Sequence, residues 1–371
     1  MTRRVPVARR YLFGERRRAL LSTVGVAVAL LLVLILDGIF AGAMRQVTAY
    51  IRSSPADVIV SQRGVRTMHM SNSALPADLA AQARAVHGVS WVAPIGFVSG
   101  VIGTQTGGRQ LSYVIGYTPG QPGGPHHLVS GSAPNDGEAV IDRIAADELG
   151  LHIGDQVRVL GVWLQVSGLA EGGTSIVNTT TFVTATELDR IHGPTISYLL
   201  VGAEPGTSAT ALRDTLTEAL SDATVQTRAQ FATQEAAVVA DMSADVMRIM
   251  AIIGFAIALA VVCLTLFTAT LARLRDYGII KALGAGRGRL AGIVIAQAAW
   301  TIAVALATSV ALALVVGRVV EAIAPTITIA IEPASILRVA AAAAAIGALS
   351  ALAPLRRVVA VDPASAFRRT S

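Results

Sequence analysis

Few residues in this 371-residue chain could do chemistry, and their spacing excludes more than it assigns. A phosphate-binding loop needs G-x-x-x-x-G-K-[ST], whose lysine reaches the β- and γ-phosphates. Lys281 is the single lysine and is followed by Ala282, so hydrolysis of a nucleotide by that route is excluded. The histidines are His69, His87, His126, His127, His152 and His192, and none shows H-E-x-x-H or a comparable zinc spacing. His126-His127 sits in a Pro/Gly-rich stretch and reads either as a metal pair or as a solvated turn. No G-x-S-x-G nucleophile elbow occurs. Cys263 stands alone in an apolar run and reads as a small packing residue. No catalytic, cofactor-binding or metal-binding set is assigned, and an enzyme is not expected.

The composition points to the lipid bilayer. Apolar residues make up 53% of the chain and charged residues only 15%, against roughly 25% charged in an ordinary soluble domain. Four apolar runs are long enough to cross a hydrocarbon core of about 30 Å: residues 19–44, 249–272, 290–316 and the alanine-rich 339–355. The formal net charge of +6 is unevenly placed. Seven arginines lie in 1–18, five basic residues in 273–289 and four arginines in 356–369, each cluster abutting an apolar run. That is the positive-inside pattern of cytoplasmic segments rather than a nucleic-acid surface. Residues 1–18, 273–289 and 356–371 are therefore expected in the cytoplasm, with 45–248 and the loop 317–338 outside. Ala41-Gly42-Ala43 mimics a cleavage site, but the apolar core before it is longer than a signal h-region, so the first run reads as an uncleaved anchor.

The fold class that follows is an integral membrane α-helical protein with four transmembrane helices (1+3). A large extracytoplasmic α+β domain, residues 45–227, lies between helices 1 and 2. Asp57–Gln62, Gln110–Gly116 and Thr195–Gly202 read as strands, and the segment from Gly150 to Gly168 as a tight hairpin. Leu75–His87, Asp142–Leu149 and Ser208–Ser221 have helical spacing, the first expected to start after Ser73-Ala74. Residues 228–248 lack Gly and Pro and run into the second span without a break, so a stalk helix is expected there.

Two places in this frame could carry function. Asp37 is an ionisable group inside the first span, which marks a possible functional site. It stands near the outer interface, where a carboxylate costs little and Gly38 can serve close helix packing, so both readings stay open. The second place is the run from Arg273 to Ala285. Leu274, Tyr277, Ile280 and Lys281 share one helical side, and Ile279 and Leu283 another. It reads either as a positive flank lying on lipid headgroups or as a helix that docks into a groove on a cytoplasmic partner. Gly284 to Gly288 follows no strand and reads as a helix C-cap.

This run resembles the Arg-Glu-x-Gly-x-x-Lys-Ala-Leu-Gly-Ala motif of FtsX/MacB/LolC-type ABC transporter permeases. The match covers Arg275, Gly278, Lys281, Ala282, Leu283, Gly284 and Ala285, with Asp276 in place of the usual glutamate. The 1+3 span order and the tail from Val361 to Arg368 are also similar to that family. Arg16–Arg18 and Leu36-Asp37-Gly38 resemble its DevC-like branch. The resemblance implies a permease that does no chemistry and lacks a fused ATPase. Two such chains, alike or related, would pair with two copies of a cytoplasmic ABC ATPase, which would bind ATP and Mg. The family's coupling helix would map to Arg275, Asp276, Tyr277, Gly278, Ile280, Lys281, Ala282, Leu283 and Gly284. Its motion would export a hydrophobic or amphiphilic substrate or a peptide from the cytoplasmic membrane, or would activate an extracytoplasmic cell-wall enzyme without transport. An ATPase-independent membrane receptor is the third reading.

Overall fold

The computed structural model describes residues 16–69, 71–173, 178–272, 274–324 and 326–360. The start of the basic N-terminal segment, Arg273, Pro325 and the tail beyond residue 360 lie outside the described residues, and with the tail goes the Val361–Arg368 resemblance. The chain forms two compact units.

One unit comprises residues 42–243 and 324–327. It is built on strands β1 (Val58–Gln62), β2 (Val89–Gly103), β3 (Arg109–Tyr117), β4 (His127–Gly131), β5 (Glu138–Asp142), β6 (Gln156–Val159), β7 (Val162–Glu171), β8 (Thr179–Thr184), β9 (Tyr198–Ala203) and β10 (Ala223–Thr227). Their order is β10-β1-β9-β2-β3-β8-β5-β7-β4, with β6 pairing β2 and β7. The long β2 joins the halves: its start pairs β9 from Val89 to Ile95, and its end pairs β3 from Gly96 to Gly103. Inward residues alternate as a half-buried sheet requires. Val58, Val60, Val92, Leu199 and Val201 pack in one cluster, and Ile102, Val114, Val157, Leu164 and Val183 in another. The expected hairpin is β6–β7, closed by Leu160 (φ 48°) and Gly161 (φ 94°). Two successive positive φ values suit the right-handed twist of the strands.

Short helices cover the sheet: α2 (Leu79–Arg84), α3 (Arg143–Leu149), α4 (Ala185–His192) and α5 (Ala209–Ala219), numbered after α1 (Arg16–Ser53). Asp142 and Ser208 cap α3 and α5 through side-chain oxygens that accept from Ile144 N and Ala211 N. The helix expected over Leu75–His87 is shorter. Leu75 instead donates its N–H to Ile196 O at 2.7 Å in a strand-like bridge. Pro76 disfavours helical backbone at Leu75, and Ser73 Oγ is engaged by Gln62 N and Ser197 O. The helix therefore begins only at Leu79.

The other unit comprises residues 1–41, 244–323 and 328–371. Helices build it: α1 up to residue 41, α6 (Arg228–Leu271) from residue 244, the short α7 (Leu274–Ala282), α8 (Arg287–Ile323) and α9 (Pro333–Ala360). Among the described residues three helices are long and apolar enough to cross a membrane: Thr23–Ser53, Gly288–Ile323 and Pro333–Ser350. In α6 the described apolar stretch is the shorter Ile252–Thr268, so the count of four is not reached on these residues.

Helices extend beyond the apolar runs in three places. α1 passes Met44 and Arg45 and stops only at Ser53, just before Pro55, because nothing between breaks the helix. α8 continues past Val316 to Ile323. Pro333 opens α9 rather than breaking a helix, since its fixed φ and missing N–H suit the first turn. The core of this unit is made of small and aliphatic residues such as Ala258, Val262, Ala298, Ala305 and Ala343, which let backbones approach closely.

Candidate functional site

α7 is a nine-residue helix with two unlike faces. Tyr277 is only 3% exposed and packs with Leu290 and Val294 of α8, joined by Ile280 and Ile293. Gly278 is also buried, so no side chain separates the backbone from its neighbours there. On the other side Ile279 is 40% and Leu283 is 83% exposed. Asp276, Ala282 and Gly284 are exposed with them, and Lys281 is half-buried. Arg275 lies in the first turn.

The end of α7 is set by its glycine. Gly284 has φ +90°, its N–H bonds Lys281 O at 3.0 Å, and Ala285 N bonds Ile280 O at 3.2 Å. This pair of bonds is a Schellman cap, which satisfies carbonyls the helix would otherwise leave open. Gly286 O then accepts from Arg289 N and Leu290 N as α8 begins. The Gly284–Gly288 run is thus a turn between helices.

Tyr277 faces α8 while Ile279 and Leu283 are exposed, and helical periodicity alone could not tell which side faces its own chain. Tyr277 and Ile280, expected in the partner contact, are the residues that anchor α7 to α8. Ile279, absent from the expected docking set, belongs with Leu283 on the open face. Anchored and open faces together give an apolar ridge, with Asp276 exposed and Lys281 half-buried on the same helix.

Asp37 is paired. Arg338 Nη2 donates to its Oδ2 at 2.8 Å and Oδ1 at 3.1 Å, and also to Ser335 Oγ at 3.1 Å. Next to it, Gly38 O accepts from Ala330 N at 2.9 Å, and a Cβ at Gly38 would lie 2.9 Å from Ile329 Cγ2. The close packing expected of Gly38 is therefore present, made against the 329–330 segment. Arg338 was invisible to local pattern because it lies 301 positions away.

The two adjacent histidines part company. The His126 ring sits 5.9 Å from that of Tyr50, and His127 Nδ1 lies 3.7 Å from Glu171 Oε2. Among the described residues no group of three or more His, Cys, Asp or Glu side chains is placed to hold a metal.

Comparison with known proteins meets this architecture at both ends. The family model of the MacB-like periplasmic core domain matches residues 19–219, and that of the FtsX-like permease C-terminal region matches 248–363. The chain belongs to the MacB/FtsX family of ABC transporter permeases. This permease is similar to an ABC transporter permease of Mycobacterium bovis, 26% identical over 95% of this chain and 96% of the relative. A permease of Mycobacterium tuberculosis is 25% identical over the same shares. Among solved structures, the periplasmic region of MacB from Actinobacillus actinomycetemcomitans aligns at 13% identity with a TM-score of 0.38. That alignment covers 50% of this permease and 94% of that chain. The extracellular domain of the ABC-type transporter YknZ aligns at 14% identity and a TM-score of 0.37, over 46% and 98%. This permease is a membrane protein with a large α+β domain between its first apolar helix and the others.

Proposed function

We propose that this chain is the non-catalytic transmembrane subunit of an exporting ABC transporter. In this reading α7 seats in a groove of a separate cytoplasmic ATPase, which binds ATP and Mg. Two ATPase copies serve two permease chains. The permease sits in the cytoplasmic membrane with four spans, both termini in the cytoplasm and residues 45–227 outside. Residues 228–248 act as the stalk that carries motion to that domain, and the substrate is hydrophobic, amphiphilic or a peptide.

The observation that carries the docking role is the open ridge of Ile279 and Leu283 on a helix fixed from behind by buried Tyr277. An exposed leucine gains roughly 1.5–3 kcal/mol when a partner buries it. Asp276 and Lys281 supply charges beside the ridge that can set orientation.

The test is recovery of the ATPase with the full-length chain. Leu283→Glu is expected to abolish co-purification while leaving membrane insertion intact. Lys281→Glu should weaken it, and Gly278→Pro should break α7 at a cost of about 3 kcal/mol or more. Unchanged recovery and unchanged ATPase activity in all three would make α7 a lipid-facing flank.

A further inference from the structure

Glu235 lies in the second turn of α6, within a run of Ala, Gln and Glu whose composition suggests solvent, yet its side chain is 0% exposed. Its carboxylate meets three donors from one segment. Met68 N donates to Oε2 at 2.5 Å, and His69 N at 3.1 Å and His69 Nδ1 at 2.5 Å reach Oε1. The same segment is gripped by the sheet: Tyr198 of β9 donates its hydroxyl to Thr67 O at 3.1 Å. The His69 ring stands edge-on to Tyr113 of β3 at 4.6 Å. One turn before Glu235, Phe231 is fully buried with its ring 6.0 Å from that of Tyr198.

Apolar contacts such as Phe231–Tyr198 are non-directional and tolerate sliding or rotation. A carboxylate that receives two consecutive backbone N–H groups and an imidazole specifies one register. Burying it is costly unless those donors stay in place, whereas a leucine would pack there without such a demand. Burial first, and the Glu235 charge second, hold the Tyr113 and Tyr198 phenols above their ordinary range, so the carboxylate is felt across the cluster. From this point α6 runs on without a break to Leu271.

We propose that Glu235 is a positioning residue that locks segment 67–69, and through it the sheet, to α6. A shift or rotation of α6 is then delivered to the α+β unit instead of being absorbed at an apolar joint. The use of that joint in transport rests on the permease function proposed above; the joint itself does not.

Spin labels at Arg63→Cys and Asp241→Cys, both exposed positions, in a Cys263→Ala background read it directly in the full chain in nanodiscs. With Glu235 and His69 intact, a single narrow distance is expected, unchanged when nucleotide is trapped on the co-purified ATPase with vanadate. Glu235→Gln sets an amide NH2 against a backbone N–H, and His69→Leu removes the side-chain donor; each should lose the single narrow distance. His69→Asn, which restores a donor near Nδ1, should recover it. A narrow, nucleotide-independent distance in both Glu235→Gln and His69→Leu overturns the proposal, as does a His69→Asn protein that behaves like His69→Leu. Should Glu235→Gln fail to fold, the two His69 variants decide. Failure of the permease function would show separately, as no ATPase recovered with the parent chain, and the nucleotide-free distances would still decide the joint.

Discussion

The strands of the sheet unit and the long helices engage their hydroxyls in different ways. In the sheet unit hydroxyls and carboxylates reach across elements. Ser112 Oγ on β3 meets Thr181 Oγ1 on β8 at 2.8 Å, Asp142 accepts from Ile144 N and Gly173 N, and Glu235 accepts from Met68 and His69. In the long helices threonine hydroxyls turn back on their own helix at several described positions. Thr270 Oγ1 donates to Leu266 O at 2.7 Å, and Thr301 Oγ1 to Gln297 O at 3.0 Å. The reason is the surroundings each must suit. A helix in an apolar medium closes its hydrogen bonds locally and leaves its neighbours to van der Waals contact. A sheet in water can spend polar groups on fixing one strand against another. Strand hydroxyls therefore help to fix one strand against another, whereas helix hydroxyls such as Thr270 and Thr301 do not, and the long helices are tied instead by charged contacts such as Asp37–Arg338.

The comparison can be broken by removing the apolar anchor that the sheet unit shares with α6. Phe231→Ala should cost about 3–5 kcal/mol of that unit's stability, as a lost aromatic plus its cavity. Chemical denaturation followed by near-ultraviolet circular dichroism would read it, and a loss below that of an exposed substitution would mean the site collapses freely. A smaller effect sharpens the contrast between hydroxyls. Thr181→Val, at a fully buried cross-strand pair, should cost about 1 kcal/mol. Thr270→Val, whose bond stays within its own helix, should cost no more than about 0.5 kcal/mol. Equal losses for the two would dissolve the distinction.

The smallest effect concerns pH. Partial desolvation beside Tyr50 lowers His126 below the usual imidazole range, opposed by a hydrogen bond with Tyr50. The unfolded chain then takes up the proton first as pH falls through about 6.5. Stability of the sheet unit should be full above that pH and decline as pH drops below it, and His126→Gln should flatten the slope. A steeper slope in the variant would reverse the sign argued here.

Much of the architecture was legible because it follows from local rules. Apolar runs bounded by arginines marked the helices, alternation within Gly150–Gly168 marked the hairpin, and the motif from Arg275 to Ala285 marked the family. Even the two sides of α7 could be drawn from a 3.6-residue period. Such signals need only the neighbours a residue has along the chain.

What only the tertiary structure decided depends on partners far away in sequence. Periodicity could not say whether Tyr277 or Leu283 would face α8, because both sides of α7 are apolar and burial is settled by what packs there. Leu75–His87 kept its helical spacing, yet the bridge from Leu75 to Ile196 claimed its first residues. Asp37 acquired Arg338 from 301 positions on, and Glu235 carried no local signal of its contact with His69, 166 positions back. A charge's meaning is set by the donors that surround it, and those donors come together only when the chain has folded.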